Sequence, residues 1–200
     1  MNKKLANIKG LIFIISGPSG SGKTTLLKKV LQQKSLKSRF VKSVSLTTRQ
    51  KRSGEREGRD YFFLNLEEFK RLKKAKKVLE WTKYLGYYYG TKRDFVEKKL
   101  HSGKHIALCL DYKGALNIKK LYPVNTVTIF IVPPSIRILR KRIKSRCCKT
   151  KEEEISRRLK LASHELRGVN KYDYTLKNTN LNTAVNRLKG IILKKIEVAG

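Results

Sequence analysis

Acidic side chains are scarce in this chain: 15 Asp and Glu stand against 48 Lys and Arg, a formal charge of +33 over 200 residues. A balance so far from neutrality makes polyanions such as RNA, DNA and acidic membrane surfaces adhesive, and it admits two readings. One is a composition bias, because lysines occupy nearly every predicted solvent face, as in "KRLKKAKK", "LRKRIKSRCCKTK" and "LKKIE"; the other is a nucleic-acid surface. The even spread favours the first, so any nucleic-acid binding is expected to be nonspecific. Cysteine is also scarce. Cys109, Cys147 and Cys148 cannot all pair, and the adjacent two would close a strained ring, which points to a reducing compartment. Long hydrophobic runs are missing: none approaches the roughly 18 apolar residues of a membrane span. The opening "MNKKLANIKGLIFIISG" is basic and then apolar, but its apolar stretch is too short for a secretory leader and reads as a core strand. A soluble cytoplasmic protein without membrane partners is the expectation. His101, His105 and His164 form no catalytic spacing, and the four prolines, at 18, 123, 133 and 134, fall at element boundaries.

What is present is a globular composition, 40% hydrophobic with nine Tyr, seven Phe and one Trp, on a length that suits one folding unit. "LIFIIS" (11–16), "HIALCLD" (105–111) and "TVTIFIV" (126–132) read as strands buried on both faces. Between them, "KTTLLKKVLQQ", "DYKGALNIKKL" and "SIRILRKRIKS" carry apolar residues at helical spacing. Strand alternating with helix predicts an α/β fold with a parallel sheet. Residues 43 to about 92 break the rhythm with short β-prone pieces, an amphipathic "LEEFKRLKKA" and a turn at Gly86. They predict a small, largely antiparallel subdomain inserted into the core. Thr150-x-x-Glu153 is a capping signature that would open a long helix, part of a candidate lid.

Gly17-Pro18-Ser19-Gly20-Ser21-Gly22-Lys23-Thr24 follows the first strand and opens a helix, the context that a phosphate-binding loop requires. Its glycines let backbone N–H groups converge on an anion at a helix N-terminus. Lys23 is suited to span two phosphates, and the Thr24 hydroxyl to ligate Mg²⁺. Thr25 extends the expected ATP contacts. Arg49 and Arg52, three residues apart in a polar segment, suit a second phosphate, with the hydroxyls of Tyr61 and Tyr89 completing a cradle; the two tyrosines also read as ordinary core aromatics.

The segment "SVSLTTRQKRSGEREGRDYFF", with "LEW", "YYYGT", "LDYKGA", "PPS", "RLKLASHEL" and "YDYTLKN" in order, resembles the guanylate kinase family over about residues 10 to 195. The resemblance implies a P-loop NTPase fold, with a three-layer parallel-sheet core (about 1–42, 93–139 and 160–200). It also implies an inserted GMP-binding subdomain (about 43–92) and a lid (about 140–159). It implies transfer of the γ-phosphoryl group of ATP, with Mg²⁺, to GMP or dGMP in purine nucleotide metabolism. By resemblance Arg49, Arg52, Tyr61 and Tyr89 would hold the GMP phosphate, Glu80 would accept from N1–H and the 2-amino group of guanine, Ser45 and Thr91 would face its O6, and Asp111 would face the base. Arg142, Arg146 and Arg158 would join Lys23 in stabilising the transferred group, and Asn178 would lie near the adenine of ATP. Arg140 and Arg157, close by, are easily confused with these, and all five also read as a solvated helix face. A monomer and a homodimer are both open.

Two departures from the family pattern stand out. Cys109-Leu110-Asp111 replaces the usual pair of acids at the end of the central strand, so metal ordering is expected to be weaker. Cys147 replaces the glycine that follows the lid arginine, removing backbone freedom there.

Overall fold

The computed structural model describes residues 8–145 and 152–199; Arg146, Cys147, Cys148 and Thr150, and with them the predicted cap, lie outside these. Two sheets organise the chain. In the five-stranded sheet the strand order is β2-β7-β1-β8-β9, with β1 at Ile12–Ser16, β2 at Phe40–Lys42, β7 at His105–Cys109, β8 at Thr126–Val132 and β9 at Tyr174–Lys177. The β2–β7 and β8–β9 pairs are parallel. All five residues of β1 are buried, as are six of the seven in β8, which is why these strands appear in the sequence as unbroken apolar runs. The second sheet has the order β4-β3-β6-β5, from β3 (Ser45–Thr47), β4 (Tyr61–Phe63), β5 (Val78–Tyr84) and β6 (Tyr87–Lys92). It is mixed: β3 runs antiparallel to β6 and β5 antiparallel to β6, but β3 and β4 are parallel.

The chain divides into two compact units, one formed by Met1–Ile12, Arg39–Leu108 and Lys113–Thr126, the other by Phe13–Ser38, Cys109–Tyr112 and Val127–Gly200. In the first, Leu46, Phe69 and Val78 form a core on which Phe62, Leu64, Leu72 and Tyr88 pack. Helix α3 (Leu66–Lys74, after α1 at Lys23–Leu31 and α2 at Lys34–Lys37) presents Phe69 to this core. Asn65 caps it: its side chain accepts from the Glu68 N–H, while the Glu68 carboxylate accepts from the Asn65 N–H. The β5–β6 hairpin turns through Leu85 and Gly86, both at positive φ (50° and 87°), as a two-residue turn matched to strand twist demands. Helix α4 (Arg93–His101) follows.

In the second unit, α6 (Ile136–Ser145) and α7 (Glu152–Arg167) close on one another through Leu139, Ile143, Ile155 and Ala162, with Leu159 packed on top. Helix α8 (Leu181–Ala199) buries Ala184, Val185, Leu188, Ile192 and Ile196, a single stripe at helical spacing. Helix α5 (Tyr112–Leu121) completes the set. Among the described residues no helix is long and apolar enough to cross a membrane.

Candidate active site

One candidate site lies in the second unit, in the loop between β1 and α1. Gly17, Gly20 and Gly22 all take positive φ (129°, 89° and 97°). A side chain at Gly17 would run into the Ile131 carbonyl, and one at Gly22 into the Asn178 amide, so the loop tolerates neither the backbone nor the volume of another residue. Gly22 serves as N-cap of α1, and Thr24 and Thr25 are exposed in its first turn. Lys23 folds back over the loop, its Nζ donating to the carbonyls of Gly17 (2.5 Å) and Pro18 (2.9 Å). Asn178 is buried and braces the loop from β9, its Nδ2 donating to the Ser21 carbonyl at 2.8 Å. Pro18 and Ser21 are buried with it, and Ser19 is half-buried.

Two helices bring arginines to this loop. Gly20 packs on α6, where Leu139, Ile143 and the Cβ of Arg142 are its nearest side-chain neighbours. From α7, Arg158 Nη1 donates to Ser19 Oγ (3.1 Å), while its Nε and Nη2 reach Glu154 Oε1 (2.9 and 2.6 Å). Arg140 instead pairs with Glu152 at the surface (2.8 Å), which separates it from the arginines on the loop. Below the loop, the Tyr172 hydroxyl donates to Ser16 Oγ at 2.8 Å, and burial pushes its phenol well above the ordinary tyrosine value.

Glu165 on α7 was not singled out by its sequence. Burial pushes its carboxyl up to about 7; Lys23 acts in the opposite direction and Asp111 in the same one. Among the described residues its Oε2 is buried without a hydrogen-bond partner, the state of an acid that favours its proton. Asp111, just beyond β7, is half-buried in the same unit. Cys109 is a half-buried thiol at the end of that strand.

A second candidate site belongs to the first unit and is built on the mixed sheet. Glu80 on β5 and Thr91 on β6 face one another in register. Both are buried, at 5% and 0% exposure, and Thr91 Oγ1 donates to Glu80 Oε1 at 2.7 Å. Ser45 stands on the neighbouring β3, in register with Tyr61 of β4. Arg49, 8% exposed, lies 5.4 Å from the centre of the Tyr61 ring and 5.8 Å from that of Phe63. Tyr61 and Tyr89 meet edge to face at 6.0 Å. Arg49, Tyr61 and Tyr89 thus form one cluster, and Arg52 joins it through its backbone.

What holds the cluster is Glu55, a second residue that sequence reading passed over. Its two carboxylate oxygens accept from Arg49 Nη2 (2.8 and 2.9 Å), and Oε2 also accepts from the Arg52 N–H (2.8 Å). Burial works against the charge on Arg49, but Glu55 and Tyr89 outweigh it and raise the guanidinium pKa. The available signal was the acid itself, one of 15 in a basic chain, placed amid "RSGEREGR".

A glycine-rich loop in the left-handed conformation between a buried strand and a helix, in a sheet with parallel pairs, defines a P-loop nucleotide-binding protein. Comparison with known proteins narrows this: the guanylate kinase family model matches residues 9–195. The chain belongs to the guanylate kinase family. It is 45% identical to the guanylate kinase of Caldanaerobacter subterraneus over 92% of this chain and 87% of that one. It is 43% identical to that of Thermotoga maritima, with coverage of 92% and 87%. The crystal structure of guanylate kinase from Anaplasma phagocytophilum superimposes with a TM-score of 0.77 at 33% identity, covering 93% of this chain and 86% of that chain.

Proposed function

We propose that this protein is an ATP:GMP phosphotransferase: it moves the γ-phosphoryl group of ATP to GMP, and less readily to dGMP, yielding ADP and GDP for purine nucleotide interconversion in the cytoplasm. The observation that carries the acceptor's identity is the buried Glu80–Thr91 pair. Thr91 fixes one carboxylate oxygen of Glu80, and an ionised carboxylate so oriented accepts from the N1–H and 2-amino group of guanine. Adenine offers a lone pair at N1 and no 2-amino group, so it would meet repulsion and leave the carboxylate unserved. Sites of this kind discriminate by about 10⁴ or more. Ser45 and Thr91 complete the base contacts and Asp111 contributes from the end of β7. Arg49, Arg52, Tyr61 and Tyr89 hold the phosphate monoester.

On the donor side, the N–H groups of the loop from Gly17 to Thr25 and the Lys23 ammonium cradle the triphosphate. Lys23 must exchange its contacts with the Gly17 and Pro18 carbonyls for phosphate oxygens, and those contacts keep it poised beside its target. Arg158 is already docked on Ser19, and with Arg142 and Arg146 it neutralises the charge that spreads over the transferred group. No general base is needed, since a phosphate monoester with a second pKa of about 6 is largely dianionic at neutral pH. Asn178 keeps the loop in shape from the side of the adenine.

Mg²⁺ fits this arrangement. Thr24, exposed in the first turn of α1, is the residue that would hold it through its hydroxyl. When bound, the ion would supply charge neutralisation to the triphosphate.

A coupled assay of ADP formation with GMP, dGMP, AMP, UMP and dTMP tests the reading. GMP should be turned over fastest with dGMP second, and Lys23→Ala should abolish activity. Glu80→Gln should narrow the GMP-to-AMP ratio more than it weakens ATP. Comparable turnover of AMP by the unaltered enzyme would refute the assignment of Glu80.

A further inference from the structure

Three acids in the loop between β3 and β4 hold backbone N–H groups: Glu55 that of Arg52, Asp60 that of Arg56 (2.9 Å), and Glu57 that of Phe63 (3.1 Å). Glu55 differs from the other two because it also accepts hydrogen bonds from a covered guanidinium, whereas Asp60 meets only the exposed Arg59, at 3.8 Å. The pair is well covered, with side-chain exposures of 9% for Arg49 and 19% for Glu55. Two geometries bear on its role. A carboxylate that merely occupied the seat of an incoming phosphate would have to leave, and it would then abandon the Arg52 N–H as well. A carboxylate that holds the arginine from behind stays in place and leaves donors for the ligand. The Arg49 guanidinium has five N–H groups. Nη2 gives at most two to Glu55, and Nη1 gives one to the Gln50 carbonyl. The Nε–H and one N–H of Nη1 remain, on different edges of the guanidinium, for the ligand and for the Tyr89 hydroxyl, which acts on the same group.

Resting on the function proposed above, we propose that Glu55 is a positioning residue for the acceptor phosphate, pinning the Arg49 guanidinium and the Arg52 backbone so that the monoester meets a preset cation. A long arginine side chain loses rotamer freedom when fixed. With Glu55 in place that cost falls on folding, not on binding. Glu55 itself touches no reacting atom and works through Arg49.

The test is Glu55→Gln, which keeps volume and one acceptor oxygen but removes the charge. KM for GMP should rise about tenfold, the scale of a charge-assisted hydrogen bond, while KM for ATP stays within about twofold. In an Arg49→Ala background the same substitution should cost less than about twofold, since residues that act as one unit are not additive. An unchanged or lowered KM for GMP, an equal loss in the Arg49→Ala background, or a parallel rise of both KM values would overturn the proposal. Glu55→Asp, with charge retained one methylene short, should fall between the two and decides the matter if Glu55→Gln does not fold. Should the unaltered protein fail to phosphorylate GMP, the functional reading falls separately. Calorimetric titration with inorganic phosphate then judges Glu55: weaker binding by Glu55→Gln supports its role, and equal binding overturns it.

Discussion

Glu165 shows how one side chain ties stability to the donor site. Its carboxyl is pushed up to about 7 by burial first, with Asp111 adding to the shift and Lys23 opposing it, and Tyr172 completes the groups around it. Between the ordinary value of 4.5 and about 7 the folded chain holds a proton that the unfolded chain has released. Stability from this group is therefore full below the ordinary value, declines as pH rises toward the folded value and levels off above it. Glu165→Gln removes the titration and keeps the shape. Thermal melts should show the variant gaining on the unaltered protein from pH 5 to pH 8, because only the unaltered protein must ionise a covered acid. An equal difference in Tm at both pH values would mean that the carboxyl ionises as it does in water.

At the scale of elements, the acceptor half depends on how closely β5 and β6 approach α3. Gly90 of β6 sits where a Cβ would come within 2.7 Å of Val78 Cγ1, 3.1 Å of the Glu80 carbonyl and 3.2 Å of Phe69 Cζ. The two strands carry a register irregularity between Val78 and Glu80, which aims Glu80 at Thr91. Gly90→Ala should therefore cost about 1–3 kcal/mol of stability by overpacking and displace Glu80 with it. Denaturant unfolding together with KM for GMP checks both, and a normal KM for GMP in a destabilised variant would separate the packing from the base contact. The same region marks what could be read from sequence. β1, β7 and β8 were legible because strands covered on both faces leave unbroken apolar runs, and the phosphate loop because its glycines have no substitutes. β2 and β9, three and four residues long, leave no such run, and their place in the sheet is set by neighbours far away in sequence. The parallel β3–β4 pair was read as part of a largely antiparallel piece, since alternation along a strand carries no record of its partner's direction. Glu55 escaped because a carboxylate in a polar loop looks the same whether it faces water or an arginine.

For the molecule as a whole, charge is the unusual term. With 48 basic and 15 acidic side chains, pairing every acid still leaves 48 − 15 = 33 cations unmatched. Several of the acids are committed to specific arginines, Glu55 to Arg49, Glu154 to Arg158, Glu97 to Arg93 and Glu152 to Arg140. Exposed pairs such as Arg140–Glu152 contribute about 0–1 kcal/mol each, whereas repulsion among the surplus cations acts over the whole surface and opposes the compact state. Salt screens both, with a Debye length of about 10 Å at 0.1 M, so the sign of its effect reveals which is larger. Because unmatched cations outnumber the pairs, Tm should rise as NaCl is increased from about 20 to 300 mM, across the range where this screening sets in. The Glu55-to-Arg49 contact, being covered, should weaken little over the same range, so KM for GMP at a given ionic strength should track screening at the phosphate and not loss of the fold. A Tm that falls with salt would instead mean that a few ion pairs govern stability and that the surplus cations are too far apart to repel.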